Sequence, residues 1–167
     1  MKRSAWFVLV AVFALVGCQS TQQSNQSTPW DESCEGVAVV VDFGLLAVSP
    51  APRCVELGAD TGIASDVLRS AGVTTEGTDS YGDLVVCRVN GLPAKDEPFE
   101  VPGEEPHLET CADMPPAFAY WALWVKRSGD AAWSYAEQGV ADLELSPGDA
   151  VGLVFSTGGD TPTPLLP

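Results

Sequence analysis

The first eighteen residues constrain the fold more than any other part of the sequence, because they decide the compartment in which the rest of the chain folds. Lys2 and Arg3 give a short positive start, and residues 5–16 form an uncharged apolar run. This run of about 12 residues suits the core of an export signal and falls short of the ~20 that a membrane-spanning helix needs. We therefore predict that the chain is exported to a compartment where disulfides form.

The apolar run ends in Leu15-Val16-Gly17-Cys18, which resembles the lipobox of bacterial lipoproteins. In that family the cysteine thiol receives a diacylglycerol, and the signal, here residues 1–17, is then cut away. The resemblance implies that Cys18 bears the lipid and holds the protein on the extracytoplasmic face of the cell membrane, where two or three acyl chains anchor it stably. An ordinary secretory signal or an uncleaved anchor is the alternative.

Residues 18–33 are predicted to be a linker between the lipid and the folded part. Between residues 19 and 29 the sequence is almost entirely Gln, Ser, Thr and Asn, with no charged side chain. Such a stretch cannot bury enough surface to fold, so we expect a flexible spacer. The domain is expected to span residues 34–156, and a disordered tail rich in Thr, Gly and Pro is expected at 157–167.

The charge balance narrows the range of partners. The chain has 8 basic and 23 acidic residues, a formal net charge of −15. Nucleic acid and anionic lipid headgroups both require basic patches, so this balance argues against either as a partner. The acidic residues are scattered along the chain, which favours a solvated exterior over an acidic docking surface.

Four cysteines beyond Cys18 give the exported part an even count, which indicates two disulfides. Three pairings are possible, and we favour Cys34–Cys54 with Cys87–Cys111 because each pair flanks a hairpin-like segment. In the chain-entropy model, closing a loop of about 20 residues stabilises a fold by roughly 3 kcal/mol. A zinc site is the alternative, but the spacing lacks a Cys-x-x-Cys pair and the chain has a single histidine.

Hydrophobic patterning predicts a chain of many strands and one helix. The helix is expected between a cap at Asp60 or Thr61 and a stop at Gly72, with apolar side chains on one face. Turns are expected at Asn90-Gly91 and, as part of a hairpin, at 147–149. Strands are predicted at 37–43, 53–57, 73–78, 84–89, 118–125, 131–135, 143–145 and 151–155. This order predicts an α+β fold, a mixed or antiparallel sheet with one packed helix of the β-grasp type.

Four stretches resemble the C-terminal domain of transcobalamin and its bacterial relatives. They are the Thr-led helix 61–72, the strand and turn 86–91, the Tyr-Trp strand 120–125 and the Gly-Asp turn 146–149. The resemblance spans residues 34–156 and implies a β-grasp-like fold. In transcobalamins this domain closes over one side of a corrinoid, and a helical domain holds the other side. A corrinoid is therefore implied as a possible ligand, with a partner protein completing the site.

The aromatic strand at 118–125 supplies the candidate binding residues. By alternation, Tyr120 and Trp124 lie on one face and Trp121 on the other, and Trp133 or Tyr135 of the returning strand joins them. A sheet packed against one helix needs only one apolar face, so the other face is a candidate platform for a flat ligand or a partner protein. The alternative is that the proline-rich segment 93–117, predicted as an exposed loop, covers that second face.

Two functions follow from these features. The first is a binding module that helps capture a small ligand such as a corrinoid, and the second is an interaction module for an envelope or transporter protein with no small ligand. We expect no enzyme and no metal site, because the sequence lacks a Gly-x-Ser-x-Gly elbow and a Gly-x-x-x-x-Gly-Lys loop. His107, in the predicted loop beside several glutamates, is interpreted as solvated rather than catalytic.

Replacing Cys18 with Ser should abolish metabolic labelling by an alkyne fatty acid, because the lipid is attached to that thiol. The labelled protein is detected on a gel after coupling to a fluorophore. A Ser20→Ala variant, which keeps the thiol, should label like the wild type. Labelling of the Cys18→Ser chain would refute the lipoprotein prediction.

Overall fold

The computed structural model describes residues 27–29, 34–58, 60–158 and 164. Within these residues the chain has ten strands and one helix, which confirms the α+β prediction. The export signal, Cys18 and most of the predicted linker and tail lie outside the described residues. The elements are β1 (Ser27–Pro29), β2 (Val37–Asp42), β3 (Arg53–Val55), β4 (Gly62–Ile63), α1 (Ala64–Ser70), β5 (Thr75–Thr78), β6 (Gly82–Val89), β7 (Tyr120–Lys126), β8 (Ser134–Tyr135), β9 (Glu144–Leu145) and β10 (Ala150–Ser156).

The last strand of the chain, β10, lies in the middle of the main sheet. That sheet has six strands in the order β1-β3-β2-β10-β7-β8. β10 pairs with β2 in parallel and with β7 in antiparallel orientation. Every residue of β10 is buried, which agrees with its continuous apolar run, because a strand covered on both faces needs no polar alternation. The sheet is therefore mixed, as the sequence predicted.

The helix packs on one face of this sheet, which we call the helix-side face. Val67 and Leu68 of α1 are fully buried and belong to the same core cluster as the sheet residues beneath them. On β7 and β10 this face carries Trp121, Val125, Val151, Leu153 and Phe155. The opposite face, which we call the far face, carries a smaller buried cluster of Ala122, Trp124 and Val154.

The helix begins differently from the prediction. No side-chain cap forms at its start, and the preceding residue, Ile63, is extended and belongs to β4. The N–H groups of Ala64 and Ser65 instead donate to the carbonyls of Leu143 and Val140, each at 2.8 Å. Backbone carbonyls of the segment before β9 therefore accept the hydrogen bonds that a side-chain cap would otherwise accept. The predicted stop is confirmed, since Gly72 follows the helix with a φ of +79°.

The two turn predictions have opposite outcomes. Asn90 and Gly91 form a tight turn, in which Val89 and Leu92 exchange both backbone hydrogen bonds. The hairpin around residues 147–149 is wrong, because β9 pairs with β4 and β10 joins the main sheet. The turn itself exists, but the apolar β10 is buried between two long strands, where a two-residue partner could not cover it.

Both predicted disulfides are present. Cys34–Cys54 ties the start of the domain to β3, and Cys87–Cys111 ties β6 to the end of the 93–117 segment. That segment is not exposed throughout as expected. Its residues Val101 and Glu109 are buried, and the buried guanidinium of Arg88 donates to the carbonyls of Pro93 and Glu109. A buried charge needs such partners, so the segment is part of the fold.

Asp149 immediately precedes β10, and its side chain holds this end of the strand through hydrogen bonds. Its carboxylate accepts hydrogen bonds from the backbone N–H groups of Ser128 and Ser146, at 2.8 and 3.0 Å, and from Arg127 Nη1 at 2.9 Å. Burial by itself raises the pKa of Asp149, but these hydrogen bonds and the charge of Arg127 outweigh it, so the pKa lies below its ordinary value. The carboxylate form is thus the one that the fold stabilises.

Replacing Asp149 with Asn should lower stability at pH 7 by about 1–3 kcal/mol, because buried donors lose a charged acceptor. Since the folded pKa is depressed, the stabilisation is present above the unfolded pKa of about 3.9 and is lost as the pH falls through the folded pKa. The variant should therefore lose less stability than the wild type on acidification. Urea unfolding, followed by tryptophan fluorescence across acidic pH, measures both effects.

The exposed neighbour Asp130 offers a matched control, since Asp130→Asn removes the same charge without removing these hydrogen bonds. If Asp149→Asn and the wild type lost stability in parallel on acidification, the depressed pKa would be disproved.

Candidate binding groove

A groove of about 1280 Å³ runs along the edge of the main sheet, where β8 stops covering β7. β8 pairs only with Trp124 and Val125 of β7. The next residue, Ala136, still donates its N–H to the carbonyl of Leu123 at 2.9 Å, and the chain then turns away from the sheet. Along the first half of β7, from Tyr120 on, one edge pairs with β10 and the other edge therefore borders the groove.

Three further segments form the walls of this groove. They are residues 84–86 of β6, residues 114–117 after the second disulfide, and much of the loop 136–144 that leads from β8 to β9. The loop reaches β6 at Gly139, where a Cβ atom would lie 2.7 Å from the carbonyl oxygen of Asp83 and 2.7 Å from Leu84 Cα. Only glycine permits this approach, so Gly139 closes the end of the groove between the loop and β6.

The groove exposes large apolar side chains to solvent. Leu84, Met114 and Tyr135 line it and are 62, 57 and 51% exposed. Single exposed apolar residues are ordinary on a protein surface, but three in one concave surface mark a site for another molecule. The volume exceeds the roughly 300–1,000 Å³ of pockets for drug-sized molecules, so the groove admits a large or extended ligand.

The rim of the groove is acidic. Its charged residues are Glu137, Asp142 and Glu144, all exposed, and no Lys or Arg is found among the described residues that line it. Carboxylates in a partly enclosed groove add their fields, which attracts a cationic group and repels an anionic one. The lining of the groove therefore combines exposed apolar side chains with carboxylates that favour a positively charged ligand.

One backbone position of β7 points into the groove. The carbonyls of Leu123 and Val125 face β8, because they accept hydrogen bonds from Ala136 N–H and Ser134 Oγ. Backbone groups alternate between the two edges of a strand, so Trp121, two residues before Leu123, directs its N–H and C=O toward the same edge. No described strand pairs with β7 there. Among the described residues no backbone group hydrogen-bonds to Trp121 at this edge, so its N–H and C=O border the groove.

The five aromatic residues predicted as a binding site do not form one surface. Tyr120, Trp121 and Tyr135 line the groove, whereas Trp124 and Trp133 belong to the cluster on the far face, against which Tyr120 also packs. The indole of Trp121 is buried in the helix-side core and donates its N–H to the carbonyl of Leu92 at 3.1 Å, so mainly its backbone and ring edge are available. Tyr135 lines the groove and also stacks on Trp124 of the far face, so it contacts both regions.

The far face is closed rather than an open platform. Trp124 is only 6% exposed and stacks on Tyr135, with ring centroids 4.0 Å apart and an interplanar angle of 22°. A Cβ atom on Gly152 would collide with Pro164, so the residue from the predicted tail lies directly on this face, with Trp133 beside it. Trp124 therefore belongs to a small second core.

The segment 93–117 packs on the helix-side face, and not on the far face that the alternative prediction assigned to it. Phe99 packs edge-on against Phe155, and Val101 belongs to the main core, so the segment extends the helix-side face. His107 is half-buried between Phe99 and Phe118 with its Nε2 3.4 Å from a carboxylate oxygen of Glu109. The histidine predicted to be solvated is thus packed between two aromatic rings.

One group of possible metal ligands occurs among the described residues, formed by Cys87, Glu109 and Cys111. The two sulfur atoms are joined in a disulfide, and the Arg88 guanidinium donates to Cys111 Sγ and to the Glu109 carbonyl. A fixed cation already occupies this place, so the group is structural.

No family model, curated protein or solved structure matches this chain. In the part of the chain that the structure describes, no helix has the length and apolar character needed to cross a bilayer.

The exposed side chains of the groove should contribute little to stability. Leu84→Asp is expected to change the free energy of unfolding by no more than about 0.5 kcal/mol, as surface substitutions do. Leu143→Ala, at a fully buried position of the core, should cost about 2–5 kcal/mol. Urea unfolding compares the two variants. A loss of more than about 2 kcal/mol for Leu84→Asp would make Leu84 a core residue and remove it from the site.

Proposed function

We propose that this chain is a lipid-anchored binding module, which displays a β-grasp-like domain on the extracytoplasmic face and binds its ligand in the groove beside β7. The observation that carries the proposal is the concave surface where Leu84, Met114 and Tyr135 are exposed together. A protein exposes such a surface at a cost in solubility, which a bound partner recovers by burying it.

Two features support the location. The sequence Leu15-Val16-Gly17-Cys18 resembles a lipobox. The disulfides Cys34–Cys54 and Cys87–Cys111 are typical of proteins that fold outside the reducing cytoplasm. The one helix packed on a mixed sheet is compatible with a β-grasp-like domain, and the resemblance to the transcobalamin C-terminal domain favours that arrangement.

A corrinoid is the candidate ligand that this resemblance implies. The groove has a volume large enough for such a molecule, and two tyrosines, Tyr120 and Tyr135, are among the residues that line it. Because the groove is open to one side, a partner protein would cover the remaining face of the ligand, as the resemblance also implies. The chain would then help capture the ligand and present it to an envelope or transporter protein.

Cyanocobalamin titrated into the mature protein should quench tryptophan fluorescence in a saturable way and give a matching calorimetric isotherm. Leu84→Asp should weaken binding at least about tenfold, which corresponds to about 1.4 kcal/mol. Val48→Asp is the matched control, because Val48 is 95% exposed and does not line the groove. The absence of heat and quenching at high micromolar cyanocobalamin would exclude a corrinoid as a direct ligand.

The backbone of Trp121, to which no described residue hydrogen-bonds at the groove edge, favours a second candidate function, a module that binds a segment of an envelope protein and no small ligand. A corrinoid has no need of a strand edge, whereas a polypeptide uses the paired N–H and C=O that such an edge offers.

A further inference from the structure

We infer that the occupant of the groove is an extended, cationic polypeptide segment, which adds to β7 as a strand beyond the end of β8. The inference rests on the proposed function, in that the groove is the binding site, and it specifies the class of partner. Three features of the groove favour such a segment: the backbone of β7, the apolar walls and the charge of the rim.

The backbone of β7 supplies the pairing. β8 ends after Tyr135, so the line of strands next to β7 stops halfway along it. An extended segment placed in that line pairs with the N–H and C=O of Trp121, which point into the groove. Open strand edges are usually blocked, because they recruit other strands. Here the open part of β7 borders the groove, with β6 and the loop after β8 among the other segments that line it.

The opposite wall suits the side chains of such a segment. β6 pairs with β5 through Gly77–Val86 and Thr78–Gly82, with the register shifted between these pairs, so residues 83–85 have no partner on β5. Leu84 therefore projects from an irregular part of β6 into the groove. Side chains of an extended segment alternate between two directions, and those on one side would meet Leu84 and Met114.

The rim selects the charge of the segment. Glu137 and Asp142 are exposed in the loop 136–144, and Glu144, the last residue of this range, is also the first residue of β9. A segment that contains Lys or Arg gains from this field, whereas an acidic segment is repelled. The same rim gives no benefit to an uncharged ligand, so the charge is an argument for a cationic partner in particular.

Labelled peptides test the inference on the mature protein held in nanodiscs of neutral phosphatidylcholine. A blocked octapeptide of alternating valine and lysine should bind, as measured by fluorescence polarisation, and its valine–glutamate counterpart should bind at least about tenfold more weakly. A valine–lysine peptide with alternate backbone amides N-methylated, on the edge that would face β7, should lose binding to a similar degree.

Hydrogen exchange reports the position of the peptide. The amide of Trp121 should exchange more slowly when the valine–lysine peptide is bound, because it becomes part of a ladder. An unchanged exchange rate at Trp121 with the peptide bound would overturn strand addition.

Charge reversal tests whether the acidic residues of the groove, or the net negative charge of the whole protein, attract the lysine peptide. The double variant Glu137→Lys with Asp142→Lys should reverse the preference, so that the valine–glutamate peptide binds better than the valine–lysine peptide. The control is Glu97→Lys with Glu104→Lys, which makes the same change in net charge at exposed residues outside the groove and should keep the original preference. Equal loss of lysine-peptide binding in both double variants would overturn the inference, because it would reveal non-specific attraction.

The corrinoid titration distinguishes failure of the polypeptide inference from failure of the proposed function. If the peptides fail to bind while cyanocobalamin binds in a way that depends on Leu84, the groove keeps its function and the polypeptide partner is refuted. If neither binds, the inference and the proposed function both fall. Competition between the valine–lysine peptide and cyanocobalamin would support the peptide as an occupant of the same groove.

Discussion

The burial of β10 between β2 and β7 determines the rest of the fold. Because these three strands hydrogen-bond over most of their length, the main sheet is complete only when the end of the chain joins its beginning. Asp149 fixes this junction from two sides. Its side chain binds Ser128, Ser146 and Arg127, and its carbonyl accepts the N–H of Ala38 at 3.0 Å. Such non-local pairing is slow to form, but it determines both faces of the sheet once it is made.

The position of the groove follows from this arrangement. β10 holds one edge of β7, and β8 is too short to cover the other, so half of that edge stays open. The disulfide Cys87–Cys111 then ties the β6 wall to the segment that carries Met114. Gly139 brings the third wall against β6. The groove is thus bounded by a strand, a covalent link and a backbone contact, which makes it a preformed site rather than one shaped by a flexible loop.

Local sequence patterns predicted the local structure. The β-branched run at Val37, the Asn90-Gly91 turn and the apolar face around Leu68 each depend on neighbours a few residues away, and the structure confirms all three. The helix start was mispredicted, because its N–H groups are satisfied by residues some 75 positions further along the chain, which no local pattern reveals. The pairing of β9 with β4 was missed for the same reason.

The candidate site was harder to predict than the fold. The aromatic residues predicted as a binding site include three, Tyr120, Trp121 and Tyr135, that line the groove. However, the reasoning that a sheet with one helix needs only one apolar face pointed to the far face, which Trp124 and Pro164 fill as a second core. The shortness of β8 was the decisive feature, and it has a signal in the sequence. Residues 136–144 contain three acidic residues and a glycine immediately after Tyr135, a composition that does not continue a strand.

The acidic rim protects the open edge of β7 against aggregation, to which every open strand edge is prone. An edge that accepts a strand from a partner also accepts one from a second copy of the same protein, which leads to aggregation. Many edges are protected by a lysine or a proline on the strand itself, but the open part of β7 carries Tyr120, Trp121 and Ala122. Its protection comes instead from the loop beside it and from the net charge of −15, because like charges keep two copies apart. The same field that excludes a second acidic copy attracts a basic segment, so one feature serves both solubility and selection.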